Sequence, residues 1–349
     1  TIPQESGVVL PALQTLGLDF SAPGTEPAPE NDTEQAEGAK EDAAPAEAAP
    51  AEDATATKKR RGVVLAAEQL TDPVVTKLIA RKAARVFVTQ RVAAVIMSCW
   101  NSVLPFDFVA EVTEDGVLKL YEREDSMLGM VTVNENNLHA QFDEEGAASM
   151  RAVFEEATAV QYEKDAYLLQ KGDAYEVSTK KEFADETVAP QNEVVGYRIV
   201  DVAGLKICIR TRKNAIIEAE TGNKYAYTYA HFDPTADASA LRAAFAGHKG
   251  QIITSATNHN IWQFSRHIIE AFLSQAQMFK LFFVANDASK QHVLVGVETY
   301  EVVRFMNLLT LETKKIWSSL QTVCERLLEF APGVYHVVKD QKNELQVYS

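Results

Sequence analysis

The chain has 349 residues, 46% of them hydrophobic, with three cysteines and a formal net charge of −15. That length and apolar content suffice for a buried core in one large or two small domains. No run approaches the roughly eighteen apolar residues of a membrane helix. Cys99, Cys208 and Cys324 are odd in number and far apart, which excludes a disulfide framework and a cysteine-based metal site; they read as buried, reduced thiols of a cytosolic protein.

The charge is uneven. Residues 1–57 carry twelve acidic residues and one lysine, a net of −11, so the rest of the chain accounts for only −4. An acidic arm therefore masks a body with local positive patches: Lys58 to Arg61, Lys77 with Arg81, Lys82, Arg85 and Arg91, and Arg210 with Arg212 and Lys213. Each patch reads equally well as solvated surface.

In chain order, residues 1–20 are modestly apolar (Val8, Val9, Leu10, Leu13, Leu16, Leu18, Phe20), a peptide suited to adding to a domain edge or docking on a partner. Residues 21–57 are rich in Ala, Glu and Pro with nothing to bury, which predicts a disordered acidic linker. The chain starts at Thr1 with no methionine and no signal-like segment. The folded domain is expected over residues 58–349.

Asp72-Pro73 starts a helix expected to run to about Arg85, with Pro73 suited to the first turn. Thr89 is expected to cap a second helix, Gln90 to Cys99, with Val92, Val95, Ile96 and Cys99 on one face. Residues 106–112 and 116–122 predict a hairpin and 128–133 a third strand, while 147–157 fits either a helix or a strand leading through Tyr162. Strands follow at 194–201, 205–212 and 224–231, the last with Tyr225, Tyr227 and Tyr229 on one face. From Lys249 onward the pattern is strand, helix, strand, strand, helix, strand, strand. The helix at 311–330 repeats Ile316, Leu320, Val323 and Leu327 at helical spacing. This predicts an α+β fold of mostly antiparallel sheets flanked by helices.

Two separated segments carry a resemblance. One is Lys249-Gly-Gln-Ile-Ile-Thr, Trp262 with Arg266, Lys280-Leu-Phe-Phe-Val, His292-Val-Leu-Val-Gly, Trp317, Gly333-Val-Tyr-His-Val-Val-Lys-Asp and Val347-Tyr-Ser. The other is Thr71-Asp-Pro-Val-Val, Val86-Phe-Val-Thr and Ile96-Met-Ser-Cys. In this order they resemble the D-subunit family of eukaryotic translation initiation factor three, over about residues 58–349 with a weaker middle. The resemblance implies a fold related to decapping nucleases and a cytoplasmic binding module for the 5′ cap of messenger RNA. It also implies partners among other subunits of the factor and the small ribosomal subunit.

Such nucleases hold divalent cations on clustered carboxylates, typically Glu-x-Asp and Glu-x-Lys on neighbouring strands. The corresponding strands here, Ile207 to Lys213 and Tyr225 to His231, contain no carboxylate. No catalytic residues, no metal site and no cofactor are therefore expected. The seven histidines are scattered, His259 and His267 reading as surface or core and His336 as a packed strand residue; no Walker, nucleophile-elbow or zincin motif occurs.

A methylated guanine needs a stacking face, an edge partner and basic residues along its phosphates. Carried over by position, the resemblance implies cap or RNA contacts at Gln90, Val103, Leu104, Thr158, Gln161 and Tyr162. Only Val103 and Thr158 keep the family pattern. The family more often has Asp at Gln90 and Tyr at Leu104, and its strand Thr-x-x-Asn-His here reads Thr158-Ala-Val-Gln161-Tyr162. Tyr162 restores an aromatic, and Trp100 supplies a second one or simply packs in the core. A gate-like insertion is expected near 134–149, with Asp143-Glu144-Glu145-Gly146 as an acidic flap over the pocket. The competing reading is a purely structural module that touches ribosomal proteins and other subunits without binding the cap.

Overall fold

The computed structural model describes residues 14–15, 67–102, 104–124, 126–135, 144–162, 175–176, 194–213, 215–217, 224–340 and 344–349. Val86–Thr89 (β2), a β-branched and aromatic run buried at every position, lies inside a sheet of eight strands. The order of that sheet is Gln14–Thr15 (β1), Leu345–Tyr348 (β13), Gly333–Lys339 (β12), Phe106–Val112 (β3), Leu118–Tyr121 (β4), β2, Leu205–Lys213 (β7) and Val194–Val202 (β6). A second sheet of five strands runs His292–Glu301 (β11), Met278–Asn286 (β10), Lys224–Asp237 (β9), Ala215–Ile217 (β8) and Tyr175–Glu176 (β5).

Sheets flanked by helices are as expected, but they are mixed rather than mostly antiparallel. β2 is parallel to both β4 and β7, and β9 is parallel to β10. A strand buried on both faces shows no alternation and no turn to its neighbour, so its direction is not written locally.

Among the described residues the α-helices are Pro73–Ala80 (α1), Gln90–Ser98 (α2), Glu144–Tyr162 (α3), Ala238–His259 (α4), Ile261–Leu273 (α5), Val302–Leu308 (α6) and Thr313–Leu327 (α7). α1 begins as expected: the Asp72 carboxylate accepts from the amides of Val74 and Val75 at 3.0 Å each, and Pro73 fills the first turn. It stops at Ala80, short of the expected Arg85. Thr89 precedes α2 but its hydroxyl caps nothing. α5 touches β7 of the large sheet and both β9 and β10 of the small one, with nearly all of its residues buried.

Three further expectations are corrected. Residues 128–133 form no strand, residues around Lys249 lie in α4 rather than in a strand, and His336 on β12 is exposed. The three cysteines are free and buried. β6 and β7 turn through Ala203 and Gly204, both at positive φ (49° and 91°), as a two-residue hairpin with right-handed strand twist requires. The expected linker 21–57 and the residues 136–143 of the expected gate lie outside the described residues. From Glu144 the chain is already in α3.

Candidate functional site

The sequence-predicted positions fall on three elements that meet in the interior. Gln90 opens α2 and is buried. Its amide nitrogen donates to the Glu270 carbonyl at 2.7 Å, and its amide oxygen accepts from the Arg212 backbone N–H at 2.5 Å. That second bond lies just beyond the last β2/β7 pair, Thr89 with Arg210, so the side chain continues a ladder its own backbone has left.

Thr158 and Gln161 lie on a helix, α3, not on the strand carried over from the family pattern, and their spacing puts them on one face. Thr158 donates to the Phe154 carbonyl at 2.6 Å and accepts from the Val131 amide at 2.9 Å. Gln161 accepts from the Ala230 amide at 2.7 Å and donates to the Thr228 carbonyl at 3.4 Å, past the final β8/β9 pair at Ala226. It closes the open edge of β9 as a peptide group would. Leu104 is half-buried and contributes its backbone: its carbonyl accepts from the Ser102 hydroxyl at 3.0 Å and from the Lys339 ammonium at 3.4 Å. Val103 lies outside the described residues, and Tyr162 is described only as the last residue of α3. Trp100 is half-buried, with the Lys315 ammonium 4.9 Å above its ring.

α5 supplies a polar row that the sequence reading missed. Asn134, in the left-handed region at φ 54°, turns the chain so that the Glu135 carboxylate meets the first turn of α5. Glu135 accepts from the amides of Trp262 and Gln263 at 3.0 Å each and from the Thr132 hydroxyl at 2.8 Å, a cap delivered from 127 residues away. Burial pushes its carboxyl up to about 7, against the pull of those three donors. The row continues from the Gln263 amide to His267 Nε2 at 2.7 Å, from His267 Nδ1 to the Tyr227 hydroxyl at 2.9 Å, and from that hydroxyl to Glu270 at 2.7 Å. Since Tyr227 donates to Glu270, it accepts from His267 Nδ1–H; Nε2 then accepts from Gln263 and the histidine is neutral. Tyr229 stacks on His267 with ring centroids 4.3 Å apart. Beside this row, the Tyr229 hydroxyl, His231 Nδ1 and Trp262 Nε1 are buried with no partner. Burial pushes His231 down to about 4, so it is neutral at neutral pH.

An ion cluster borders Gln90. Arg91 meets Glu122 at 2.8 Å and Glu68 at 3.6 Å, Arg212 meets Glu68 at 3.1 Å, and Arg210 meets Asp72 at 3.3 Å. Arg91, Arg210 and Arg212, expected as positive patches, are thus matched by three carboxylates. Burial alone would raise Glu68, but Arg212, Arg91 and Arg210 together hold it below the usual carboxylate range. Glu122 is pushed up to about 7 by burial, with Arg91 opposing. By contrast Lys77, Arg81, Lys82 and Arg85 are exposed on α1 and the turn after it. Exposed Lys206 lies alongside, its carbonyl accepting from the Arg85 amide at 3.0 Å.

Among the described residues no group of three or more His, Cys, Asp or Glu is arranged to hold a metal ion, and no helix is long and apolar enough to cross a membrane.

Fold and site together define a class: a mixed two-sheet α/β body whose interior is bridged by side-chain amides, with one exposed basic edge. The family model described as eukaryotic translation initiation factor 3 subunit 7 matches residues 47–349, and the chain belongs to that family. It is 25% identical over 305 residues to the D subunit of eukaryotic translation initiation factor 3 from Chaetomium globosum, covering 80% of this chain and 52% of that one. It is 23% identical over 290 residues to the D-2 subunit of the same factor from Drosophila yakuba, covering 79% and 52%. The chain therefore spans about half the length of the curated relatives it matches. Among solved structures it is similar to Rai1 of S. pombe, with a TM-score of 0.48 at 10% identity, covering 81% of this chain and 77% of that one.

Proposed function

We propose that the chain serves translation initiation as a non-catalytic module that contacts messenger RNA near its 5′ end, including the cap, within initiation factor three on the small ribosomal subunit in the cytoplasm. Its partners are then other subunits of the factor, the small ribosomal subunit and the messenger. The observation that carries the RNA contact is the exposed set Lys77, Arg81, Lys82, Arg85 and Lys206 on a chain with net charge −15, a local phosphate-tracking surface on an acidic protein. The carboxylate-free strands β7 and β9 down to His231 support a binding role over phosphodiester cleavage. For the cap itself, the buried partnerless polar atoms of Tyr229, His231 and Trp262 offer donors and acceptors beside Gln161 and α5.

A second reading, a structural module without cap binding, is favoured by one specific observation: Gln90, Thr158 and Gln161 already spend their polar atoms on the protein's own backbone. Crosslinking to capped and uncapped RNA, competed by free cap analogue, separates the two. Competition supports the first reading, while crosslinking that cap analogue does not compete leaves only the second. Reversing Lys77, Arg81 and Lys82 to Glu should abolish crosslinking to both RNAs.

A further inference from the structure

We infer that Arg91, Arg210 and Arg212 form a phosphate-binding site for the RNA chain, held shut in cis by the carboxylate of Glu68. The inference rests on the RNA-contacting reading above and names how that contact is regulated.

Three guanidinium groups converge from α2 and β7 at the border of Gln90, whose amide oxygen holds the Arg212 backbone. Guanidinium is the side chain best matched to phosphate oxygens, because its planar fork presents paired donors. Here Arg212 Nε and one terminal nitrogen of Arg91 meet the same Glu68 oxygen, Oε1, at 3.1 and 3.6 Å. Arg210 keeps one buried terminal nitrogen, Nη1, without a partner, although its side chain is only 7% exposed. One carboxylate oxygen each of Glu68 and Glu122 is buried and partnerless as well. The cluster is charge-balanced but its hydrogen bonding is mismatched: a guanidinium donor and two carboxylate acceptors stay unsatisfied side by side, so the resident carboxylates fit these arginines poorly.

Glu68 is the removable member. Glu122 follows β4 directly, and Asp72 is fixed by capping α1. Glu68 instead lies on the segment at 67–70, outside any helix or strand. It is tied to the end of β4 by the Glu122 amide donating to its carbonyl at 3.1 Å and by the Gln69 amide donating to the Glu122 carbonyl at 3.0 Å. Exchange of Glu68 for a phosphate trades one anion for another among arginines that are already desolvated. The large desolvation penalty of a new buried charge is therefore avoided. The phosphate brings more acceptor oxygens to a cluster in which Arg210, whose charge acts on Glu68, still has Nη1 unmatched.

The test uses short uncapped single-stranded RNA and the full chain. Glu68→Gln should raise affinity by roughly fivefold or more and steepen the dependence of log K on log salt by about 1. Adding Arg212→Gln to Glu68→Gln should erase that gain, whereas the exposed substitution Glu301→Gln, at the end of β11 in the other sheet, should leave affinity at the wild-type value. Hydrogen exchange of the wild-type chain supplies a readout free of folding defects: saturating RNA should deprotect the Glu122 amide, which bonds to Glu68. Unchanged affinity and salt slope in Glu68→Gln, a gain that survives Arg212→Gln, or an unaltered Glu122 amide would each overturn the inference. A gain seen with a phosphopeptide but not with RNA would overturn the RNA assignment. If neither the wild type nor Glu68→Gln binds RNA, the underlying reading fails; if both bind equally, only the cis-occupied site fails.

Discussion

Replacing Glu135 by Gln tests whether a buried carboxylate really governs the start of α5. In the folded chain its carboxyl is raised to about 7 from an ordinary value of 4.5. A raised acid binds its proton more tightly in the folded state. Its stability contribution is therefore fully present below the unfolded value and is lost as pH rises through the folded one. Protonation linkage with these two values gives a penalty of about 1 kcal/mol at pH 5 and about 3 kcal/mol at pH 8. Gln is a neutral near-isostere that keeps one acceptor for the Gln263 amide and the Thr132 hydroxyl, but it turns an N–H toward the Trp262 amide at a pH-independent cost of about 1–2 kcal/mol. The variant should therefore be less stable than wild type at pH 5 and as stable or more so at pH 8, the difference shifting by roughly 2–3 kcal/mol. Urea unfolding followed by tryptophan fluorescence at pH 5, 6, 7 and 8 reads it directly. Because Glu122 titrates in both proteins, its own rise to about 7 cancels in the comparison. A stability difference that stays constant from pH 5 to 8 would refute the reasoning and place the Glu135 charge in a far better solvated environment.

Gln161→Leu removes the acceptor of the Ala230 amide and a donor to the Thr228 carbonyl and should cost about 2–4 kcal/mol, with faster hydrogen exchange at Ala230. Gln161→Asn, one methylene shorter, should recover little of that loss in thermal denaturation. Gly296→Ala drives a Cβ into the Phe245 ring and should destabilise by about 1–3 kcal/mol; pairing it with Phe245→Ala should give a cycle with strong coupling. Lys339→Met removes the donor to the Ser102 carbonyl at 3.0 Å and the Leu104 carbonyl at 3.4 Å. A cost of about 1–3 kcal/mol is expected, with faster proteolysis within residues 99–105.

Elements whose causes are local were legible. Asp72-Pro73 announced α1, the apolar repeat from Ile316 to Leu327 announced α7, and both strands of the β6/β7 hairpin were found within a residue or two. Elements whose causes are distant were not. Residues 128–133 alternate like a strand, yet their backbone is bonded by side chains from helices. Arg266 donates to the carbonyls of Leu128 and Met130, Thr158 accepts from Val131 and Gln263 from Thr132. The β-branched Ile252-Ile253-Thr254 suggested a strand, but they lie in a helix that starts at the Asp237 cap through an alanine-rich first half and packs on β11. The polar row on α5 was readable as Gln263, Arg266, His267 and Glu270 at three- and four-residue spacing. Nothing local showed that this face was buried.

The same use of side chains in place of strand hydrogen bonds sets what positions 90 and 161 require. An Asp at position 90 could accept from the Arg212 amide but would set a carboxylate against the Glu270 carbonyl, where Gln90 now donates at 2.7 Å. An Asn at position 161 would fall short of one of the two β9 groups that Gln161 bridges. At both positions one side-chain amide serves two backbone partners, which is a demand of the frame. A guanine that entered beside α5 would have to exchange those bonds for its own. The energy for that exchange has to come from the phosphates, whose attraction to the exposed Lys77 to Arg85 stretch and to the three arginines beside Gln90 does not depend on base identity. On the proposed reading, contact with RNA would therefore be carried first by backbone charge, with discrimination of the cap a smaller contribution laid over it.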